Sequence, residues 1–112
     1  LNDHPTAINQ VNEIFDLITE ALRDTVANQI IDELLSVAKA GEQISALKLG
    51  KTYTNLLVAP DYQSAYVWLS IAQAYGLESA SELLSQVADE LTLEEILVQQ
   101  EQASTTFSEI NS

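Results

Sequence analysis

The sequence predicts an all-α fold of about six helices, arranged as antiparallel hairpins stacked side by side. Three observations point there. Apolar residues recur at i, i+3, i+4 and i+7 along most of the chain, while strand-like alternation is scarce. Gly41, Pro60 and Gly76 fall between these stripes, where a helix has to stop. Finally, "GEQISALKLG" (41–50) aligns with "GLESASELLS" (76–85) at an offset of 35 residues, so that Gly41/Gly76, Ser45/Ala80 and Leu49/Leu84 coincide. Helix, turn, helix, glycine and restart is the pattern of a stacked hairpin repeat.

Taken in order, residues 1–5, "LNDHP", read as a loose lead-in, with Pro5 tolerated in a first helical turn. Ile8, Val11, Phe15, Ile18 and Leu22 form the stripe of a first helix, thickened by Ile14 and Leu17. Asp24 or Thr25 is the expected cap of a second helix, whose apolar set is Ile30, Ile31, Leu34, Leu35 and Ala38. Gly41 is expected to end it in a left-handed conformation. The third helix starts near Glu42 and aligns Ala46, Leu49, Gly50, Tyr53 and Leu57. Gly50 within it costs roughly 1 kcal/mol relative to alanine, which suggests close passage of another backbone. "LVAP" breaks this helix, because a residue before proline avoids the α region. Asp61 caps the fourth helix and Gly76 ends it; the fifth carries Leu77, Ala80, Leu83, Leu84, Val87, Ala88 and Leu91. The sixth opens with "TLEE", a capping box of Thr92 and Glu95, and runs to about Ala103. Residues 77–104 thus form a C-terminal cap, and 105–112 a frayed tail in which Phe107 and Ile110 are the residues able to dock.

The fourth helix, "DYQSAYVWLSIAQAYG", holds three of the four tyrosines and the one tryptophan. Ala65, Trp68, Leu69, Ala72 and Gly76 share one face, and Val67, Ile71 and Ala74 lie on a second side. Gln63, Ser64, Ser70 and Gln73, with Tyr66, leave only a narrow wet strip. A helix apolar over most of its circumference needs neighbours on both sides, and alanines beside large rings let those neighbours approach. The uncharged run from Tyr62 to Leu77 is too short and too polar to span a bilayer, so no membrane insertion is expected.

At 112 residues, of which 46% are hydrophobic, the chain suits one domain with a packed core. Cysteine is absent, which excludes disulfides and thiolate chemistry. Four basic against 17 acidic residues give a net charge of −13, disfavouring nucleic acid and anionic lipid as partners. Arg23, Lys39, Lys48 and Lys51 are the only cations; nine acids and no base follow Lys51. The chain begins at Leu1 and contains no methionine, which reads as a trimmed or processed product.

Few residues suggest chemistry. His4 is the only histidine, and no second imidazole or thiolate exists to share a zinc ion with it. The acid pairs Asp32-Glu33, Asp89-Glu90 and Glu94-Glu95 point about 100° apart on a helix, so neither member faces the other as an acid/base couple. A calcium loop and a glycine-rich phosphate cradle are both missing. No catalytic residue, metal ligand or cofactor is therefore expected.

The residues Gly41, Ser45, Leu49-Gly50, Tyr53, Asp61, Ala65, Trp68, Ala72 and Gly76 occur in the order and spacing of one unit of a Sel-one-like repeat. The sequence resembles that family, a relative of the tetratricopeptide repeat, over about residues 41–76 and the start of a second unit. "ELTLEEI" (90–96) is similar to the terminal segment that closes such arrays, with Leu93 where proline is common. Leu56 and Val58 replace the family's loop glycines, Ser85 stands where a second glycine belongs, and Glu33 stands where a tryptophan is expected. The resemblance implies a short tetratricopeptide-like solenoid serving as an adaptor or scaffold, with no catalytic residues to transfer. The family is frequent among exported bacterial proteins, which leans the localisation toward the periplasm.

One polar cluster completes the reading. Lys48, Lys51, Thr52 and Asn55 lie on the third helix off its core stripe at i, i+3, i+4 and i+7, and are suited to hold a carboxylate or an acidic peptide. The leading functional expectation is a noncatalytic protein-interaction module with a protein or peptide partner. A small hydrolase using paired carboxylates and an acidic decoy for a basic protein are the alternatives. A stack this short leaves a face uncovered, which favours a homodimer.

Overall fold

A computed structural model describes the backbone of residues 5–112 and the side chains of residues 14–112. The described residues are all-helical, in five helices: α1 (Pro5–Lys39), α2 (Gln43–Asn55), α3 (Tyr62–Ala74), α4 (Glu78–Ala88) and α5 (Leu93–Ile110). Residues 1–4, with His4 and most of the expected lead-in, lie outside them.

The count corrects the expected six. The first two predicted helices are one continuous helix of 35 residues, about 50 Å long at 1.5 Å per residue. No glycine or proline interrupts residues 6–40, so nothing forces a break. Asp24 and Thr25, read as caps, bond elsewhere. The Asp24 carboxylate accepts from the Val58 amide (2.8 Å), and the Thr25 hydroxyl donates to the Ala21 carbonyl one turn back (2.9 Å).

What suggested two helices is a change of phase. Ala27, Ile31 and Ala38 are buried against the body of the protein. Ile18 and Leu22 precede Ala27 and Ile31 by nine residues, or about 900°, and therefore lie on the opposite side of the helix. Ile14, Phe15, Leu17, Ile18, Leu22 and Val26 are 51–68% exposed, and every described residue from 14 to 23 is exposed whichever way it faces. α1 carries the described residues to 68 × 29 × 22 Å, with a radius of gyration of 18.0 Å. A compact domain of this length has about 13 Å.

The repeat period reappears as two matching turns. Gly41 (φ 102°) and Gly76 (φ 88°) both adopt the left-handed conformation. The Gly41 and Glu42 amides donate to Ala38 and Val37, and the Gly76 and Leu77 amides to Gln73 and Ala72. Each is a Schellman ending, which satisfies carbonyls that a helix terminus leaves without partners. Four residues beyond each glycine, Ser45 and Ala80 are buried, so a small side chain follows the turn into the core both times.

α3 is the centre of the molecule. It packs on α2, α4 and α5, while α1 packs on α2. Its N-terminus is capped by Asp61, which accepts from the Ser64 amide (3.1 Å) and hydroxyl (2.7 Å). Ala65, Val67, Trp68, Leu69, Ile71 and Ala72 are buried. Tyr66, expected on the wet strip, is buried as well, and its hydroxyl accepts from Gln100 Nε2 (3.2 Å) on α5. Gly50 makes room for the Leu69 side chain, which a Cβ at this position would overlap. The close neighbour is thus a side chain of α3 and not a second backbone.

The capping box at α5 forms in both directions, with Glu95 Oε1 accepting from the Thr92 amide (2.8 Å) and Thr92 Oγ1 from the Glu95 amide (3.1 Å). α5 continues through the segment expected to fray. Phe107 meets Tyr75 with ring centroids 5.2 Å apart, and Asn111 Nδ2 donates to the Phe107 carbonyl (2.8 Å) beyond the last turn. An aromatic pair and a polar cap hold an otherwise polar end in place.

Candidate functional site

The four residues singled out on the third predicted helix sit together on α2. Lys48, Lys51 and Asn55 are exposed and Thr52 is half-buried. The Thr52 hydroxyl donates to the Lys48 carbonyl (2.8 Å), so it serves the helix itself. Asn55 ends the helix, and its main-chain carbonyl accepts from Arg23 Nη2 (2.9 Å). Arg23 Nε donates to the Leu56 carbonyl (2.8 Å).

Arg23 therefore closes the C-terminal end of α2, where a cation meets both open carbonyls and the negative end of the helix dipole. Its neighbour Asp24 holds the Val58 amide. Two consecutive α1 residues thus grip the α2–α3 connection from one side. This grip was missed in the sequence because the partners lie 32–34 positions away. It also removes Arg23 from the cations free to recruit a ligand.

Asn55 is the member of the cluster that lines the cleft between α2 and α4. This cleft of about 250 Å³ is lined by Gly50, Thr54 and Asn55 on one wall and by Gln86 and Glu90 on the other, with Leu69 of α3 between them. Its size suits one inserted side chain better than a drug-sized molecule, which takes about 300–1,000 Å³. Gly50 shapes it, since any Cβ there would press on Leu69. Glu90 gives the far wall a negative charge, while Lys48 and Lys51 stand on the outer side of α2. A second groove of about 250 Å³ runs between the end of α1 and α5, where Leu35, Lys39, Val67, Trp68, Gln99 and Gln102 meet. Trp68 is 5% exposed.

Two groups have perturbed ionisation. Burial pushes the Tyr53 phenol above its ordinary 10.0, and the negative charges of Asp61 and then Asp32 add to the effect. The phenol stays protonated at neutral pH, which suits it for packing and donating rather than for nucleophilic work. The Glu95 carboxyl lies below its ordinary 4.5, chiefly because the Thr92 amide donates to it, then because the side chains of Gln63 and Thr92 bond to it. Gln63 Nε2 donates to Glu95 Oε2 at 2.7 Å, which ties α3 to the start of α5. Both shifts follow from structural contacts.

Among the described residues no group of three or more His, Cys, Asp or Glu side chains is placed to hold a metal ion. No helix among them is long and apolar enough to cross a membrane. Compared with known protein families, curated proteins and solved structures, the chain matches none.

Proposed function

We propose that this chain is a short array of Sel-one-like helical hairpins and works as a noncatalytic protein-interaction module. In this reading α2–α3 and α4–α5 are consecutive hairpins, and the second half of α1 is the last helix of a preceding one. The observation that carries it is the pair of Schellman turns at Gly41 and Gly76, 35 residues apart, each followed by a buried small residue. The packing of α3 on α2, α4 and α5 supports it for the two hairpins α2–α3 and α4–α5, since neighbouring repeats pack on one another, while α1 packs mainly on α2.

The surface chemistry favours recognition over catalysis. The α2–α4 cleft and the groove beside Lys39 and Ile110 are each lined by a single carboxylate, Glu90 and Glu109. A hydrolase working through two carboxylates needs both within one cleft. A peptide is the fitting partner: one of its side chains enters the cleft between α2 and α4, and an acidic residue beside it meets Lys48, Lys51 and the Asn55 amide.

Titrating the intact chain with an array of acidic peptides tests this. Saturable binding that weakens by about 10-fold in the Lys48→Ala/Lys51→Ala double variant is the expected result. Peptide binding indifferent to that variant removes the cluster from the site. Turnover of ester, peptide or glycoside substrates by the purified chain rejects the noncatalytic reading.

A further inference from the structure

The exposed stripe on the first half of α1 calls for an occupant. Every described residue from 14 to 23 is exposed, so this part of α1 projects beyond the body and nothing in the body covers the stripe. Ile14, Ile18 and Leu22 follow one another at four-residue steps, with Phe15 and Val26 on one side and Leu17 at the other edge. With half to two-thirds of each residue bare, these six present roughly 700 Å² of apolar surface, above the usual largest patch on a monomer and near the ~800 Å² per partner of a standard interface.

The charges indicate what that occupant is. Asp16, Glu20 and Asp24 follow the same four-residue step two positions later, which places them about 200° round the helix from the stripe. Arg23 points into the α2–α3 connection. From residue 14 to residue 31, the side of α1 that bears the stripe has no charged residue; its polar members are Thr25 and Gln29, with Thr19 and Asn28 toward its edges. In a chain of net charge −13, this surface can meet its own copy without setting acid against acid.

We propose that two copies pair through this stripe as an antiparallel helix dimer, with the two-fold axis beside Ile18. Ile18 then faces Ile18 of the second copy, and Ile14 faces Leu22. The interface is isologous, so a single stripe provides both halves. Antiparallel alignment also opposes the helix dipoles. Because Ala27 and Ile31 face the other way, the two α2–α5 bodies sit at opposite ends of the paired helices and do not obstruct them. The pairing does not depend on what the α2–α4 cleft binds.

Sedimentation equilibrium on the full chain tests the proposal directly. The expected result is twice the chain mass at tens of micromolar, falling to the single-chain mass in Ile18→Glu and in Leu22→Glu with helical circular dichroism retained. The chain lacks cysteine, so register can be read separately. Ile18→Cys should cross-link to itself upon oxidation, and Gln29→Cys should not, being roughly 30 Å from its counterpart in the antiparallel pair. A wild-type chain that remains monomeric overturns the proposal, whether or not it binds lipid vesicles or another protein. So does a dimer that survives Ile18→Glu. Efficient cross-linking of both cysteine variants overturns the antiparallel register.

Discussion

Trp68 on α3 and Leu22 on α1 are both large apolar side chains on regular helices, yet one is 5% exposed and the other 61%. The difference does not come from local helix formation. α3 carries Ala65 and Ala72 among its large residues and faces Gly50 across the α2 interface, so three neighbours approach it closely. The first half of α1 also has an apolar stripe, but residues 14–23 are exposed on every side and the helix becomes buried against the body only from Ala27 on. An apolar stripe becomes core only where the chain turns back over it. Where the chain does not turn, the same pattern remains a surface.

The sharpest way to break this comparison is to truncate one residue from each region. Trp68→Ala should cost about 3–5 kcal/mol in urea unfolding, as a core aromatic does. Leu22→Ala, measured at high dilution, should stay within about 0.5 kcal/mol of the parent. A loss at Leu22 comparable to that at Trp68 would mean that the stripe is covered within one chain.

Gly50→Ala comes next. Its Cβ would overlap Leu69, so a net loss of about 1–3 kcal/mol is expected despite the gain of roughly 1 kcal/mol in helix propensity. The Gly50→Ala/Leu69→Ala double variant should be less destabilised than the sum of the two, since the smaller residue relieves the overlap. Strict additivity would show that the two positions do not press on each other.

A smaller effect is expected at the joint between the two halves of α1. Arg23→Ala and Asp24→Ala should each lower stability by about 0.5–1.5 kcal/mol. Asp24→Ala should also accelerate hydrogen exchange at the Val58 amide, which loses its acceptor. Unchanged exchange at Val58 would separate Asp24 from the connection it is seen to hold.

The smallest effect concerns pH. Because the folded protein holds the Glu95 carboxyl below its ordinary value, that group's contribution is fully present above about pH 4.5 and is lost as pH falls through the depressed value. Glu95→Gln should therefore flatten the acid limb of the stability profile. Stability that falls equally steeply in the variant would assign the slope to other carboxylates.

Much of the fold was legible from local chemistry. The Asp61 cap, the Thr92–Glu95 box and the glycine turns at 41 and 76 each depend on residues within five positions of one another, and each forms as read. What escaped depends on distant partners. A phase change in a stripe looks the same whether the helix breaks or continues, and the contacts that use the new phase, from Arg23 and Asp24 to residues 55–58, lie far along the chain. The last turns of α5 were read as frayed because Tyr75, which meets Phe107, lies on another helix. The lysine cluster was visible as helical spacing, but the cleft that its member Asn55 lines takes its far wall, Gln86 and Glu90, from α4. Helix spacing states which residues share a side and says nothing of what stands across from it.

The grip of Arg23 on the end of α2 has a mechanical consequence. The guanidinium sits where the outer arm of α1 leaves the body, and one of its acceptors is the carbonyl of Asn55, whose residue also forms the rim of the α2–α4 cleft. The outer arm of α1 is thus tied to the edge of the cleft through Arg23, and through Asp24 to the Val58 amide three residues further on.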